Sequence, residues 1–223
     1  MKVLELFAGS RSIGNVAEFF GHDVFSIDIN SFEGIDLVAD IEFLTPQQIP
    51  FKPDVIWASP PCTTYSIAGI SHHRDLQIPK SDFAKKSDRL VINTLRLIEH
   101  FGCIFYIENP RGYLRKMPFM NGLPRVTVWY CQYGDSAAKP TDIWSNNIYN
   151  PLFNENGWRP KPECFNSNPK CHHDKQPRGY AAKKLTGALG FGTQGKKGNY
   201  ERSKIPKKLC EDIILQSQKS LNK

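Results

Sequence analysis

The chain has no apolar run approaching the roughly 18–20 residues of a membrane-spanning helix, so nothing in it predicts a bilayer protein. It has no internal repeat, which excludes solenoids and propellers. It lacks the dinucleotide fingerprint G-x-G-x-x-G, because Arg11 stands where the second glycine would fall. The opening residues run straight into an apolar strand pattern, Val3-Leu4-Glu5-Leu6-Phe7, without the shape of a signal peptide. Cys62, Cys103, Cys131, Cys164, Cys171 and Cys210 are therefore expected as reduced thiols in an intracellular, cytoplasmic protein.

The 223 residues suffice for one large α/β domain spanning 1–223, with room for a small appendage. A hydrophobic share of 40% with 23% charged residues fits a packed globular fold. The net charge of +7 is unevenly placed. Residues 1–60 are rich in acids, whereas residues 170–208 hold eleven bases and two acids. That basic stretch also carries glycines and Tyr180, Phe191 and Tyr200, a composition that predicts contact with a nucleic-acid backbone.

Val3–Phe7 reads as a first strand, Ala8–Gly14 as a glycine-containing turn and Asn15–Phe20 as a helix stopped by Gly21. This is the opening of a nucleotide-binding α/β unit. Asp23–Asp28 is a second strand and Asp36–Ile41 a third, with Asp28 and Asp40 near their ends. A glycine turn and two strand-end acids point to one adenosyl ligand at the carboxyl edge of a parallel sheet.

Asp54-Val55-Ile56-Trp57-Ala58 then reads as a buried strand leading into Ser59-Pro60-Pro61-Cys62. Two prolines stiffen this loop, and a thiol held there is a candidate nucleophile if its pKa is lowered. A polar loop to about residue 84, with His72, His73 and Arg74, is expected to be a lid. Ser87 is expected to cap the helix that follows. Cys103–Ile107 reads as a strand ending in Glu108-Asn109, where the glutamate can share the Cys62 pocket. Arg125–Tyr133 and Lys139–Ser145 read as a final antiparallel pair, and Pro206–Leu221 as a closing amphipathic helix. The region 146–200 reads as a small basic insertion. It contains Cys164, Cys171 and His172 in the pattern C-x6-C-H-H, weak metal candidates whose spacing matches no common zinc finger.

These blocks together resemble a DNA cytosine-5 methyltransferase, and in particular the small members carried by phages and prophages. Phe7-Ala8-Gly9 resembles the family's S-adenosylmethionine motif, Pro60-Pro61-Cys62 with Ser66 its nucleophile motif, and Glu108-Asn109 its glutamate motif. Tyr133-Gly134 with Lys139 resembles the basic motif, and Arg202-Ser203-Lys204-Ile205-Pro206 the closing motif. The resemblance implies a class I, Rossmann-like sheet that is doubly wound and mostly parallel, with an antiparallel last strand. It implies catalytic roles for Cys62, Glu108, Asn109 and Lys139. It also implies S-adenosylmethionine as cofactor, held by Phe7, Ala8, Gly9, Ser10, Asp28, Ile29, Asp40, Ile41, Pro60 and Ser203. The expected reaction is methyl transfer to C5 of cytosine in DNA through a covalent Cys62–C6 adduct on a flipped base. The same chemistry on RNA and a decayed DNA-binding scaffold are the alternatives. Arg11, Thr63, Lys139 and Ser203 depart from the family's usual residues. Only about 55 residues separate the basic and closing motifs, too few for a large target-recognition domain.

Overall fold

Strands that are apolar at successive positions need cover on both faces. The computed structural model describes residues 1–67, 69–166, 168–173 and 199–222, and builds one seven-stranded sheet on this basis. Its strands are β1 (Lys2–Leu6), β2 (Asp23–Asp28), β3 (Leu37–Val38), β4 (Val55–Ala58), β5 (Ile104–Pro110), β6 (Arg125–Trp129) and β7 (Pro140–Trp144). They lie in the order β3-β2-β1-β4-β5-β7-β6. All neighbours pair in parallel except at β7, which is antiparallel to both β5 and β6. The expected doubly wound sheet with one antiparallel strand is therefore the observed one.

Alternate residues of each strand divide between two cores. Leu4, Leu6, Ile56, Ala58, Phe105 and Ile107 meet helix α2 (Asp82–Phe101) through Val91, Leu97 and Ile98. Val3, Val55, Trp57 and Tyr106 meet helices α1 (Ser12–Phe19) and α3 (Lys207–Leu221) through Ile13, Val16, Leu209 and Ile213. Helix α2 begins earlier than expected, because Ser81 is its N-cap and accepts from the Ala84 amide at 3.1 Å. Ser87 lies inside the helix and donates to Phe83 O instead. The third strand is only two residues long, so Asp40 lies beyond it, capping a short 3-10 turn at Ile41–Phe43. β6 ends at Trp129, where the chain turns through Tyr130–Tyr133 into Gly134 at φ +91°.

The segment after β7 is tied to the rest of the fold where it is described. Asn146 bridges the Phe105 amide and the Cys103 carbonyl, and buried Trp158 donates from Nε1 to Asp212 of α3 at 2.9 Å. Residues 174–198, most of the basic stretch expected to contact a nucleic-acid backbone, lie outside the described residues. Among the described residues, no helix is long and apolar enough to cross a membrane.

One polar residue interrupts the β1 face that packs on α1. Glu5 is buried; its carboxylate accepts from the Ile13 amide at 3.1 Å and the Ser26 hydroxyl at 3.0 Å, so it caps α1 from within the sheet. Burial outweighs these hydrogen bonds and pushes Glu5 up from 4.5 to about 7. The folded protein keeps this proton to near neutrality while the unfolded chain releases it near 4.5, so stability falls as pH rises between the two values. The displacement corresponds to roughly 3 kcal/mol. Glu5→Gln mimics the protonated form and should remove this part of the pH dependence. Thermal melts of both proteins from pH 4.5 to 7.5 check it: parallel curves would show that Glu5 is ionised in the fold.

Candidate functional site

The strand order reverses between β1 and β4, so the loops after these two strands flank the crevice where doubly wound sheets bind ligands. The loop after β1 is set by backbone conformations that side chains rarely adopt: φ is +57° at Phe7, +50° at Gly9 and +51° at Arg11. Buried Asp28, at the end of β2, fixes this loop by accepting from the Gly9 amide at 3.0 Å with one oxygen. Its other oxygen accepts from the Asn30 amide at 2.9 Å. Arg11 holds a conformation suited to glycine. Its guanidinium donates to Ser26 Oγ at 3.1 Å and pairs with Glu18. These contacts account for an arginine at a position where the family usually has glycine.

The closing segment folds back onto the same loop. Ser12 Oγ accepts from the Ile205 amide at 3.1 Å and lies 2.9 Å from Ser10 Oγ. A Cβ at Gly9 would stand 3.7 Å from Ser203 Oγ. Phe7, Ala8, Gly9, Ser10, Asp28 and Ser203 thus converge, although 194 positions of sequence separate Gly9 from Ser203. Ile29 is exposed beside Asp28, whereas Ile41 is buried in the core. Asp40 is already engaged. Burial raises its pKa, but Lys86, at 2.6 Å, and the Glu42 amide outweigh that and hold it below the usual carboxylate range.

The loop after β4 carries Cys62, which is half-buried. Register places Ala58 of β4 opposite Ile107 of β5, so Glu108 and Asn109 emerge beside the Pro60–Cys62 loop. Asn109 donates from Nδ2 to Pro60 O at 2.8 Å and locks the two strand ends together. Glu108 is buried and accepts from the Tyr130 hydroxyl at 2.9 Å. Burial, then the charge of Glu108, holds the Tyr130 phenol protonated far up the pH scale, so it acts as a donor. Lys139, at φ +27°, places its ammonium 4.4 Å from the centre of the Tyr130 ring. Cys62, Glu108, Asn109 and Lys139 are thereby linked through Pro60 and Tyr130. Tyr130 itself was missed because it lies where a strand was expected.

The segment after Cys62 is anchored, unlike a free polar loop. It holds a turn at Thr63–Tyr65, a short helix at Ile70–His73 and a hairpin pairing Arg74–Asp75 with Ile78–Pro79. Fully buried Arg74 donates to Thr64 O at 3.0 Å, stacks 4.4 Å from the Tyr65 ring and pairs with Asp88 of α2. The Tyr65 hydroxyl donates to the same carboxylate at 2.7 Å. His73 contacts Ser81 Oγ at 3.0 Å and so supports the start of α2, while His72 is exposed. The histidine beside Cys164 and Cys171 is His173, which is buried there, and not the expected His172. His172 turns away, with Nε2 donating to Asp135 O at 3.1 Å. A third thiol, Cys131, joins the group from the turn after β6.

A sheet ordered in this way, with a glycine loop after β1 gripped by an acid at the end of β2, defines a class I methyltransferase. The comparisons agree and go further. The family model described as C-5 cytosine-specific DNA methylase matches residues 1–118, which include Cys62 and Glu108, and the chain belongs to that family. A probable DNA (cytosine-5)-methyltransferase of Frog virus 3 (isolate Goorha) is 28% identical over 160 residues, covering 66% of this chain and 71% of that protein. Two solved structures are similar to part of the chain. One is a putative DNA modification methyltransferase encoded within an Escherichia coli prophage (16% identity, TM-score 0.48, 65% of this chain and 46% of that one). The other is the Dnmt2 methyltransferase of S. pombe (17% identity, TM-score 0.49, 65% and 50%). The chain spans about half the length of these solved proteins.

Removing Asp88 would leave the Arg74 guanidinium buried without its carboxylate. Asp88→Ala should therefore cost about 3–5 kcal/mol. Urea denaturation measures this; a loss below about 1 kcal/mol would mean that the Tyr65–Arg74–Asp88 group does not hold the segment after Cys62.

Proposed function

We propose that the protein transfers a methyl group from S-adenosylmethionine to C5 of cytosine in DNA, with Cys62 as the nucleophile. The observation that carries this reading is the junction of two strand ends, where Asn109 bonds Pro60 O at 2.8 Å and sets Glu108 beside the Cys62 loop. Cytosine C5 is too weak a nucleophile to displace an alkyl group from a sulfonium. A bond from the Cys62 sulfur to C6 makes C5 enamine-like and reactive. Negative charge that develops in the ring would be met by a proton that the Glu108 carboxyl, oriented by Tyr130, gives to N3 and takes back when the ring is restored. After C5 is alkylated, its proton leaves to a base and the S–C6 bond breaks. That restores the aromatic ring and returns the thiolate. The target base must first leave the duplex, since C6 is inaccessible in the stack.

The loop around Gly9 supports a cofactor site. Among the described residues, a would-be Cβ on Gly9, at φ +50°, has only Ser203 Oγ and Phe7 O within 4 Å, and exposed Ile29 adjoins Asp28. Phe7–Ser10, Asp28, Ile29, Pro60 and Ser203 would hold S-adenosylmethionine, which supplies an electrophilic methyl group when bound. Asp40 and Ile41 would contribute through the turn that they form and less through free side chains. Lys139 would position the flipped nucleotide or its phosphate. The basic stretch 170–208 would follow the duplex backbone.

DNA containing 5-fluorocytosine should trap the wild-type protein covalently, because fluorine at C5 blocks the final elimination. Cys62→Ser should abolish both trapping and transfer while leaving S-adenosylmethionine affinity intact. Denaturing gels with labelled DNA check this, and comparable transfer by Cys62→Ala would refute the mechanism. Asp28→Ala should weaken S-adenosylmethionine by about 1–3 kcal/mol, the scale for losing a charged acceptor. Calorimetry that shows unchanged affinity would remove Asp28 from the cofactor site.

A further inference from the structure

Sulfur and imidazole groups brought together in a buried place need a reason, since neither adds much to packing that an apolar residue would not. Outside the candidate active site, one such group exists among the described residues. The Cys131, Cys164 and Cys171 sulfurs and a His173 ring nitrogen all lie within 4.8 Å of one another. Cys131, Cys164 and His173 are buried and Cys171 is partly so. We propose that these four residues bind one zinc ion as a closed, tetrahedral, structural site.

Geometry supports the assignment. A zinc–sulfur bond of about 2.3 Å and a zinc–nitrogen bond of about 2.0 Å require ligand atoms about 3.5–3.8 Å apart around a tetrahedron. Cys164 Sγ and His173 Nδ1 are 3.8 Å apart. The 4.8 Å limit leaves the other pairs a closure of about 1 Å or less, within the reach of side-chain rotation.

The surroundings add a second, independent argument. Gln132 Nε2 donates toward Cys131 Sγ at 3.7 Å and toward Cys171 Sγ at 3.8 Å, and Asn168 Nδ2 donates to Cys164 Sγ at 3.3 Å. A neutral thiol is a weak acceptor, and amides aimed at three of them are poorly used. Zinc-bound thiolates are strong acceptors, and such donors offset the excess negative charge of three sulfurs on a divalent cation.

The site would join distant parts of the chain. Cys131 follows Tyr130, the residue that holds Glu108, while Cys164, Cys171 and His173 come from the insertion after β7. One ion would staple the insertion to the turn that supports Glu108, and fix the point from which the chain continues past His173. A C-x6-C-x-H pattern completed by a cysteine 33 positions earlier has no local signature, which is why the adjacent His172 was the expected candidate.

Full-length protein purified without chelators should carry one equivalent of zinc by elemental analysis. Cobalt exchanged into it should give the d–d and thiolate charge-transfer bands of a tetrahedral thiolate site. Cys171→Ser and His173→Ala should lose the stoichiometric metal, and His172→Ala should keep it. If the first two variants fail to fold, X-ray absorption on the wild-type zinc protein should count three sulfurs and one nitrogen. The proposal is overturned by wild-type protein that takes up neither metal, by a disulfide among the three cysteines, by an oxygen-dominated shell, or by metal lost with His172→Ala and kept with His173→Ala.

Discussion

The hydrogen bond from Asn109 Nδ2 to Pro60 O, 2.8 Å long and buried, joins the two strand ends that carry Cys62 and Glu108. Parallel pairing of β4 with β5 brings these ends to the same edge of the sheet, but pairing alone leaves a proline-stiffened loop free to pivot. The amide removes that freedom. The nucleophile candidate and the acid candidate then share one rigid frame, and the remaining groups are arranged about it. Tyr130 holds Glu108 from the β6 side, and the Tyr65–Arg74–Asp88 group holds the chain beyond Cys62.

Polar side chains perform the same service at the loop after β1. Glu5 caps α1 from inside the core, Asp28 grips the Gly9 amide, and Ser12 receives the Ile205 amide from the far end of the chain. Glu5 and Asp28 are buried, where an unmatched partner costs far more than a matched one contributes. The loops at the edge of the sheet are therefore held in one arrangement before any ligand arrives, as a site that must align three reacting groups requires.

The sheet was legible because its strands are short apolar runs punctuated by glycine, proline and strand-end acids. The order of those acids, the glycine turn, Pro60-Pro61-Cys62 and Glu108-Asn109 identified the family, which the match over residues 1–118 establishes. Local signals failed where tertiary contact decides. Glu5 sits within the apolar run Val3–Phe7, and nothing local says that its carboxylate caps a helix. Ser87 has the identity of a cap, yet Ser81 is one turn and a half earlier and is the residue with its backbone in the extended form. Arg125–Tyr133 reads as one strand by composition, but the chain leaves the sheet at Tyr130 for a 3-10 turn that ends at Gly134 in the left-handed region, and this delivers a hydroxyl to Glu108. Cys131 is separated from Cys164 by β7 and the first part of the segment that follows it, so only the fold could bring the two together.

The central claim is that this frame methylates C5 of cytosine in DNA. Incubation with S-adenosylmethionine labelled in its methyl group, in parallel with duplex DNA and with folded RNA, followed by digestion to nucleosides and mass spectrometry, measures it directly. The account predicts labelled 5-methyl-2′-deoxycytidine from the DNA. Label confined to RNA, label at N4 of cytosine or N6 of adenine, or no transfer to either nucleic acid by protein that binds the cofactor would contradict it.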